Sequence, residues 1–99
     1  MKEFWYNYLM LRHLQARIYG RVQGVFFRTA TLEKALDLEI KGLVRNEPDG
    51  SVYIEAEADE KKLNEFLNWC QQGPGPASVS KIDFEFTDEL KNFKEFSIL

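Results

Sequence analysis

The sequence has little of what would announce a metal, a redox centre or a membrane. It contains one cysteine and one histidine. A single cysteine excludes an internal disulfide and fits a reducing compartment, so a cytoplasmic protein is expected. One cysteine and one histidine make no clustered ligand set, so neither a metal nor another cofactor is expected. Charge of one sign is missing too: 13 Lys and Arg are interspersed with 16 Asp and Glu, for a net charge of −3. A nucleic-acid binder usually carries a basic face, so nucleic acid is not an expected partner. No apolar run approaches the roughly 20 residues that cross a bilayer. The densest run, from Phe4 to Leu11, is broken by Asn7 and stopped by Arg12 and His13. It lacks the basic, apolar and small-residue order of a signal peptide, so no membrane partner is expected. There is no internal repeat and no low-complexity segment.

What is present suits one small domain. The 99 residues are 44% hydrophobic and 14% aromatic, enough for a real core. Residues 1–14 read as an apolar N-terminal extension and residues 15–99 as the domain. Within the domain a strand is expected over 15–22 and a helix over 27–38. The core stripe of that helix would be Phe27, Ala30, Thr31, Ala35 and Leu38, spaced three and four apart. A second strand follows at 41–46, then the turn Glu47-Pro48-Asp49-Gly50, with proline early and glycine last. In a third strand, over 51–57, Val52, Ile54 and Ala56 alternate with Tyr53, Glu55 and Glu57. That alternation predicts one buried face and one wet face. Asp59 reads as the N-cap of a second helix carrying Leu63, Phe66, Leu67 and Cys70, which Gly73-Pro74-Gly75-Pro76 ends. A fourth strand over 79–86 and a short fifth with Phe96 and Ile98 complete the chain. The order β-α-β-β-α-β plus a short fifth strand predicts an α+β, ferredoxin-like sandwich, with two helices on one face of a mostly antiparallel sheet.

That fold hosts many functions, so the site must supply the function. The most informative segment is Gly20-Arg21-Val22-Gln23-Gly24-Val25-Phe26-Phe27-Arg28. It joins a strand to a helix. Two glycines four apart allow backbone conformations that side chains forbid and a close approach to a ligand. The helix that follows turns its unpaired N–H groups back toward the turn, which makes an anion site. Arg28, in the first helical turn, adds a planar charge suited to phosphate or carboxylate oxygens. No Gly-Lys-Ser/Thr closes the turn, and the glycine spacing is not that of a dinucleotide fingerprint, so a nucleotide-driven machine is excluded.

A second segment, Gly42-Leu43-Val44-Arg45-Asn46-Glu47-Pro48-Asp49-Gly50-Ser51-Val52, places Asn46 at the end of strand two. Alone, an asparagine before a turn is usually a turn former. The two segments in this order closely resemble acylphosphatase, and the resemblance runs from about Ala16 to Leu99. It implies a small cytoplasmic enzyme, without metal or cofactor, that hydrolyses the carboxyl–phosphate bond of acyl phosphates. The substrate would be a small-molecule acyl phosphate and inorganic phosphate a product. The family's catalytic arginine falls on Arg28 and its catalytic asparagine on Asn46. The backbone amides of Gln23, Gly24, Val25, Phe26 and Phe27 would hold the phosphoryl oxygens. In the family's chemistry the leaving group is a carboxylate, which departs without a proton, so the lack of a general acid in either segment is no objection.

The sequence departs from the family pattern in four places. Glu39 stands where the family commonly ends helix one with glycine. Glu47 follows Asn46 where a small polar residue is familiar, and would weaken anion binding if it faced the loop. Leu32 and Leu36 occupy positions expected to be exposed. The extension has no counterpart; Leu9, Met10 and Leu11 are expected to cover Leu32 and Leu36 in the same molecule or a neighbour, which would allow self-association. Cys70, Trp5 and Trp69 read as packing groups and His13 as a surface residue. Two rival readings have different signatures. A non-catalytic phosphate or acyl-phosphate binding module occurs at the start of larger carbamoyl-transferring proteins, whose zinc-finger cysteines are missing here. An RNA-binding domain would use Tyr19 and Tyr53 with nearby basic residues, against the acidic balance.

Overall fold

A computed structural model describes residues 10–99. Seven elements follow one another: β1 (Leu11–Arg21), α1 (Phe27–Asp37), β2 (Lys41–Asn46), β3 (Val52–Asp59), α2 (Glu60–Gln72), β4 (Ser78–Thr87) and β5 (Phe96–Ile98). The sheet order is β4-β1-β3-β2-β5, with only the β2–β5 pair parallel. Both helices pack on one face, which is the α+β, ferredoxin-like arrangement expected from the element order.

The core lies between that face and the helices. Leu14, Ala16 and Ile18 of β1 meet Val44, Val52, Ile54 and Ala56 from β2 and β3. The helices contribute Phe27 and Ala35, and Leu63, Phe66, Leu67 and Cys70. Thr31 is buried with them, and its hydroxyl donates to the Phe27 carbonyl at 2.8 Å, which satisfies the one polar group of the stripe. Ala30 and Leu38 lie at the margin, only partly covered. Trp69 packs on Phe27 and Phe66, and burial pushes the Cys70 thiol up, as suits a packing cysteine. Asp59 caps α2 by accepting from Lys62 N at 3.0 Å.

Several expectations are corrected. β1 starts at Leu11 and takes in residues 11–14, which the apolar pattern had left with the extension. Leu14 is core, and His13 is 1% exposed instead of lying on the surface. Glu55 and Glu57, assigned by alternation to a wet face, are also buried. All three residues lie on the sheet face away from the helices, and the β4–β5 connection covers them. The Glu57 carboxylate accepts from the backbone amides of Lys91 (2.6 Å), Asn92 (3.0 Å) and Phe93 (3.3 Å). His13 Nδ1 is 2.6 Å from Glu57 Oε2 and Nε2 is 3.0 Å from Glu55 Oε1, with the Phe93 ring stacked over the imidazole. Lys91 Nζ and the Tyr53 hydroxyl complete the surroundings of Glu55 at 2.7 and 3.0 Å. Burial penalises both carboxylates, yet these partners hold both pKa values below the usual glutamate value. Alternation along one strand cannot reveal a cover supplied from more than thirty residues away.

Leu32 is half-buried against the core, whereas Leu36 is 61% exposed. Met10 and Leu11 are themselves exposed and do not cover it; Leu9, like Trp5, lies outside the described residues. Helix α1 ends through Glu39 in the left-handed region (φ 58°), its N–H bonded to the Leu36 carbonyl at 3.1 Å. The helix therefore stops where a glycine would have stopped it.

Candidate active site

Strand direction gathers the site. β1 and β2 both run antiparallel to β3, so they run parallel to each other. Their C-terminal ends, Arg21 and Asn46, emerge at the same end of the sheet, separated by one strand. β5 runs parallel to β2 and brings Leu99 to that end as well; Leu99 N donates to the Val44 carbonyl at 2.9 Å.

The loop between β1 and α1 is shaped by its glycines and anchored by its valines. The register of β1 against β4 shifts between Tyr19 and Gly20. Gly20 has φ 125°, and a Cβ there would run into the Ser78 carbonyl oxygen, so only glycine lets β4 come that close. Gly24 is left-handed at φ 73° and faces open space. Val22 and Val25 are buried beneath the loop. Phe26 is left-handed (φ 61°) at the N-cap of α1 with no side-chain cap, and its carbonyl accepts the first helical bond, from Ala30 N at 3.0 Å. No described hydrogen bond takes up the backbone amides from Gln23 to Arg28. Donors left free at a helix N-terminus form a concave anion site, reinforced by the helix dipole.

Arg28 and Asn46 converge on that cradle. An open pocket of about 260 Å³ is lined by Val22, Gly24, Phe26, Phe27, Arg28, Thr29 and Asn46. Arg28 Nη1 donates to the backbone oxygen of Leu99 at 3.3 Å, which leaves most of its donors uncommitted. Asn46 Oδ1 is buried and meets no donor among the described residues. A buried acceptor in that state costs about 1–3 kcal/mol, so it is poised to accept from a bound partner. Glu47 is not in the lining. Its carboxylate is held by Arg45 at 2.9 Å and, more loosely, by Arg17 at 3.9 Å, so its charge is neutralised away from the loop.

Gln23 carries a role its sequence position did not reveal. Gln23, like Val25, was expected in the cradle but is not among the residues that line the pocket; its side-chain Nε2 donates to the carbonyls of Glu47 (2.8 Å) and Ser51 (2.9 Å). One side chain thereby ties the loop to the turn that follows Asn46. The turn is set by Asp49, whose carboxylate accepts from Ser51 N at 2.9 Å and from the Ser51 hydroxyl. Those two bonds hold the Asp49 carboxyl below the usual aspartate value. A polar residue in a glycine loop was the available signal for Gln23; its partners were not readable.

Residues 14–98 match the family model described as Acylphosphatase. The chain belongs to the acylphosphatase family. It is 43% identical over 86 residues to an acylphosphatase of Acaryochloris marina, covering 87% of this chain and 91% of that one. It is 37% identical over 89 residues to an acylphosphatase of Methylococcus capsulatus, covering 90% and 97%. The crystal structure of acylphosphatase from Bacillus subtilis superposes with a TM-score of 0.86 at 33% identity, covering 91% of this chain and 99% of that one. Among the described residues, no helix is long and apolar enough to cross a membrane.

Proposed function

We propose that this acylphosphatase hydrolyses small acyl phosphates to a carboxylate and inorganic phosphate, by direct attack of water at the pocket between the glycine loop and the end of β2. The observation that carries this reading is that Arg28, Asn46 and the loop residues Gly24, Phe26 and Phe27 line one pocket, with the loop amides left without a described partner. The phosphoryl oxygens sit against the amides of Gln23, Gly24, Val25, Phe26 and Phe27. Arg28 offers its planar fork to two of those oxygens. Charge spread over the equatorial oxygens in the transition state meets donors already in place, so little reorganisation is needed as the bond breaks.

Asn46 orients the attacking water, with its side-chain amide supplying both an acceptor and a donor. The water oxygen bonds to phosphorus. The bond from phosphorus to the acyl oxygen breaks, and the carboxylate leaves with the electron pair. Because that leaving group is a weak base, no general acid has to protonate it. Of the water's two protons, one stays on the phosphate product and the other passes to a phosphate oxygen or to solvent. The buried Asn46 Oδ1 without a donor supports this assignment, since a water O–H would satisfy it. The reading requires no metal or cofactor, and the single free cysteine suits a cytoplasmic enzyme.

Release of phosphate from benzoyl phosphate by the purified protein, measured in a metal chelator, tests it. Turnover is expected with chelator present, together with poor activity on phosphate monoesters, whose alkoxide leaving groups need a proton or a cation. Tight phosphate binding without turnover would identify a binding module instead. Activity that disappears with chelator and returns with magnesium would overturn the mechanism.

A further inference from the structure

One side chain of the pocket is not used by this chemistry. Phe26 lines the pocket, and it is 81% exposed. Its neighbour Phe27 is buried in the core against Trp69, so two adjacent phenylalanines have opposite fates. Phe26 carries three local costs. Its large apolar ring gains little from burial within the fold. Its backbone is left-handed (φ 61°, ψ 23°), a region that disfavours bulky residues and that glycine or asparagine enters more easily. The helix N-cap it occupies also favours asparagine, aspartate, serine or glycine over phenylalanine. The loop itself uses glycine for the other left-handed position, at Gly24. Strain and exposure combined in one residue of a pocket wall point to a ligand that uses the ring.

The lining also limits what that ligand can be. Arg28 is the only cation among the lining residues, and no acidic side chain is among them. With Arg28 engaged by the phosphoryl group, an acyl chain ending in a second carboxylate or phosphate finds no second cation there. An apolar acyl group finds the phenyl ring.

We infer that Phe26 is the acyl-group selector of this enzyme: its exposed ring is the wall on which an aryl or extended alkyl acyl group packs, so that apolar acyl phosphates are preferred. The inference rests on the acyl-phosphate reading of the pocket. The phosphoryl end is held by backbone amides and Arg28, and is common to all substrates. Discrimination therefore falls to the acyl end. An aromatic pair contributes about 0.5–1.5 kcal/mol beyond area burial, which corresponds to roughly 2- to 10-fold in kcat/KM.

The test compares benzoyl phosphate with acetyl phosphate in the wild type, Phe26→Asn and Phe26→Leu. Asparagine suits both the left-handed backbone and the N-cap while it removes the ring, so the variant keeps the fold, which its melting temperature checks. The expected result for Phe26→Asn is a fall of roughly fivefold in the benzoyl-to-acetyl ratio of kcat/KM, carried mostly by a higher KM for benzoyl phosphate. Phe26→Leu is expected to retain part of the preference for apolar acyl groups. A ratio within twofold of wild type in Phe26→Asn overturns the inference and leaves the acyl-phosphate reading standing. An equal loss on both substrates also overturns it, because the residue then shapes the loop alone. If the wild type releases phosphate from neither compound, the reading of the pocket fails and the inference fails with it.

Discussion

Two stretches of backbone in this molecule carry consecutive amides without a backbone partner, and they differ in what answers them. At residues 91–93 the amides of Lys91, Asn92 and Phe93 close on the buried carboxylate of Glu57. At residues 23–28 no described acceptor answers the amides. Both stretches contain a non-glycine residue in the left-handed region, Asn92 (φ 59°) in one and Phe26 (φ 61°) in the other. A concave run of amides is therefore not in itself a ligand site. Filled from within, it is a clasp that holds the β4–β5 connection on the sheet. Left open beside an arginine, at the N-terminus of α1, it is where the proposed function seats an anion from outside.

The strongest way to break the comparison is at the open stretch. Arg28→Lys keeps the charge but replaces a planar fork with a point charge. It is expected to lower kcat/KM for benzoyl phosphate by about 3 kcal/mol, on the order of a hundredfold, by analogy with the loss of an oxyanion donor. Thermal stability should barely move, because the Arg28 bond to Leu99 is a long one at the surface. Near-wild-type kinetics would remove Arg28 from the mechanism.

The closed stretch is expected to behave in the opposite way. Glu57→Gln removes the charge and places an amide donor where amide donors already point. Unfolding free energy should fall by about 2–3 kcal/mol in chemical denaturation. Phosphate binding by the folded protein should persist. The clasp also predicts an acid limb. Glu55 and Glu57 titrate below the usual 4.5 in the folded state, so the unfolded chain binds more protons in that range. Their contribution is complete above about pH 4.5 and is lost as pH falls through the folded values. A plot of stability against pH from 6 to 3 should slope downward at its acid end, and Glu57→Gln should flatten that slope. An unchanged slope in the variant would show that Glu57 is not the group responsible.

The smallest effect comes from the third left-handed residue, Glu39 (φ 58°), which belongs to neither stretch. It ends α1 and loses only an exposed pairing with Lys62, at 3.3 Å, if replaced. Glu39→Gly is expected to raise stability by about 1 kcal/mol, seen as a melting temperature several degrees higher, with kinetics unchanged. A lower melting temperature would show that the left-handed turn costs less here than the flexibility glycine adds to the unfolded chain.

The two stretches were unequally legible in the sequence. The open one is local: glycines, a helix start and an arginine lie within nine residues, and backbone conformation dictates their arrangement. The element order and the β2–β3 turn are local too, which is why the fold could be read. The clasp is assembled from β1, β3 and the β4–β5 connection, and its members look like surface residues in their own segments. His13 sits beside an apolar run that hides the start of β1. Glu55 and Glu57 alternate with core residues as exposed glutamates would. Only the path of residues 88–95 across the sheet buries them. The Gln23 side chain was missed for the same reason, since both carbonyls it reaches belong to a turn more than twenty residues away.

The contrast between open and closed amides is tested most directly by titrating inorganic phosphate into the ¹⁵N-labelled protein and following backbone amide shifts. Saturable shifts are predicted at Gly24 through Arg28, strongly weakened in Arg28→Lys, with Lys91, Asn92 and Phe93 unmoved in both proteins. Phosphate that shifts residues 91–93, or that leaves Gly24 through Arg28 unmoved, would contradict the account.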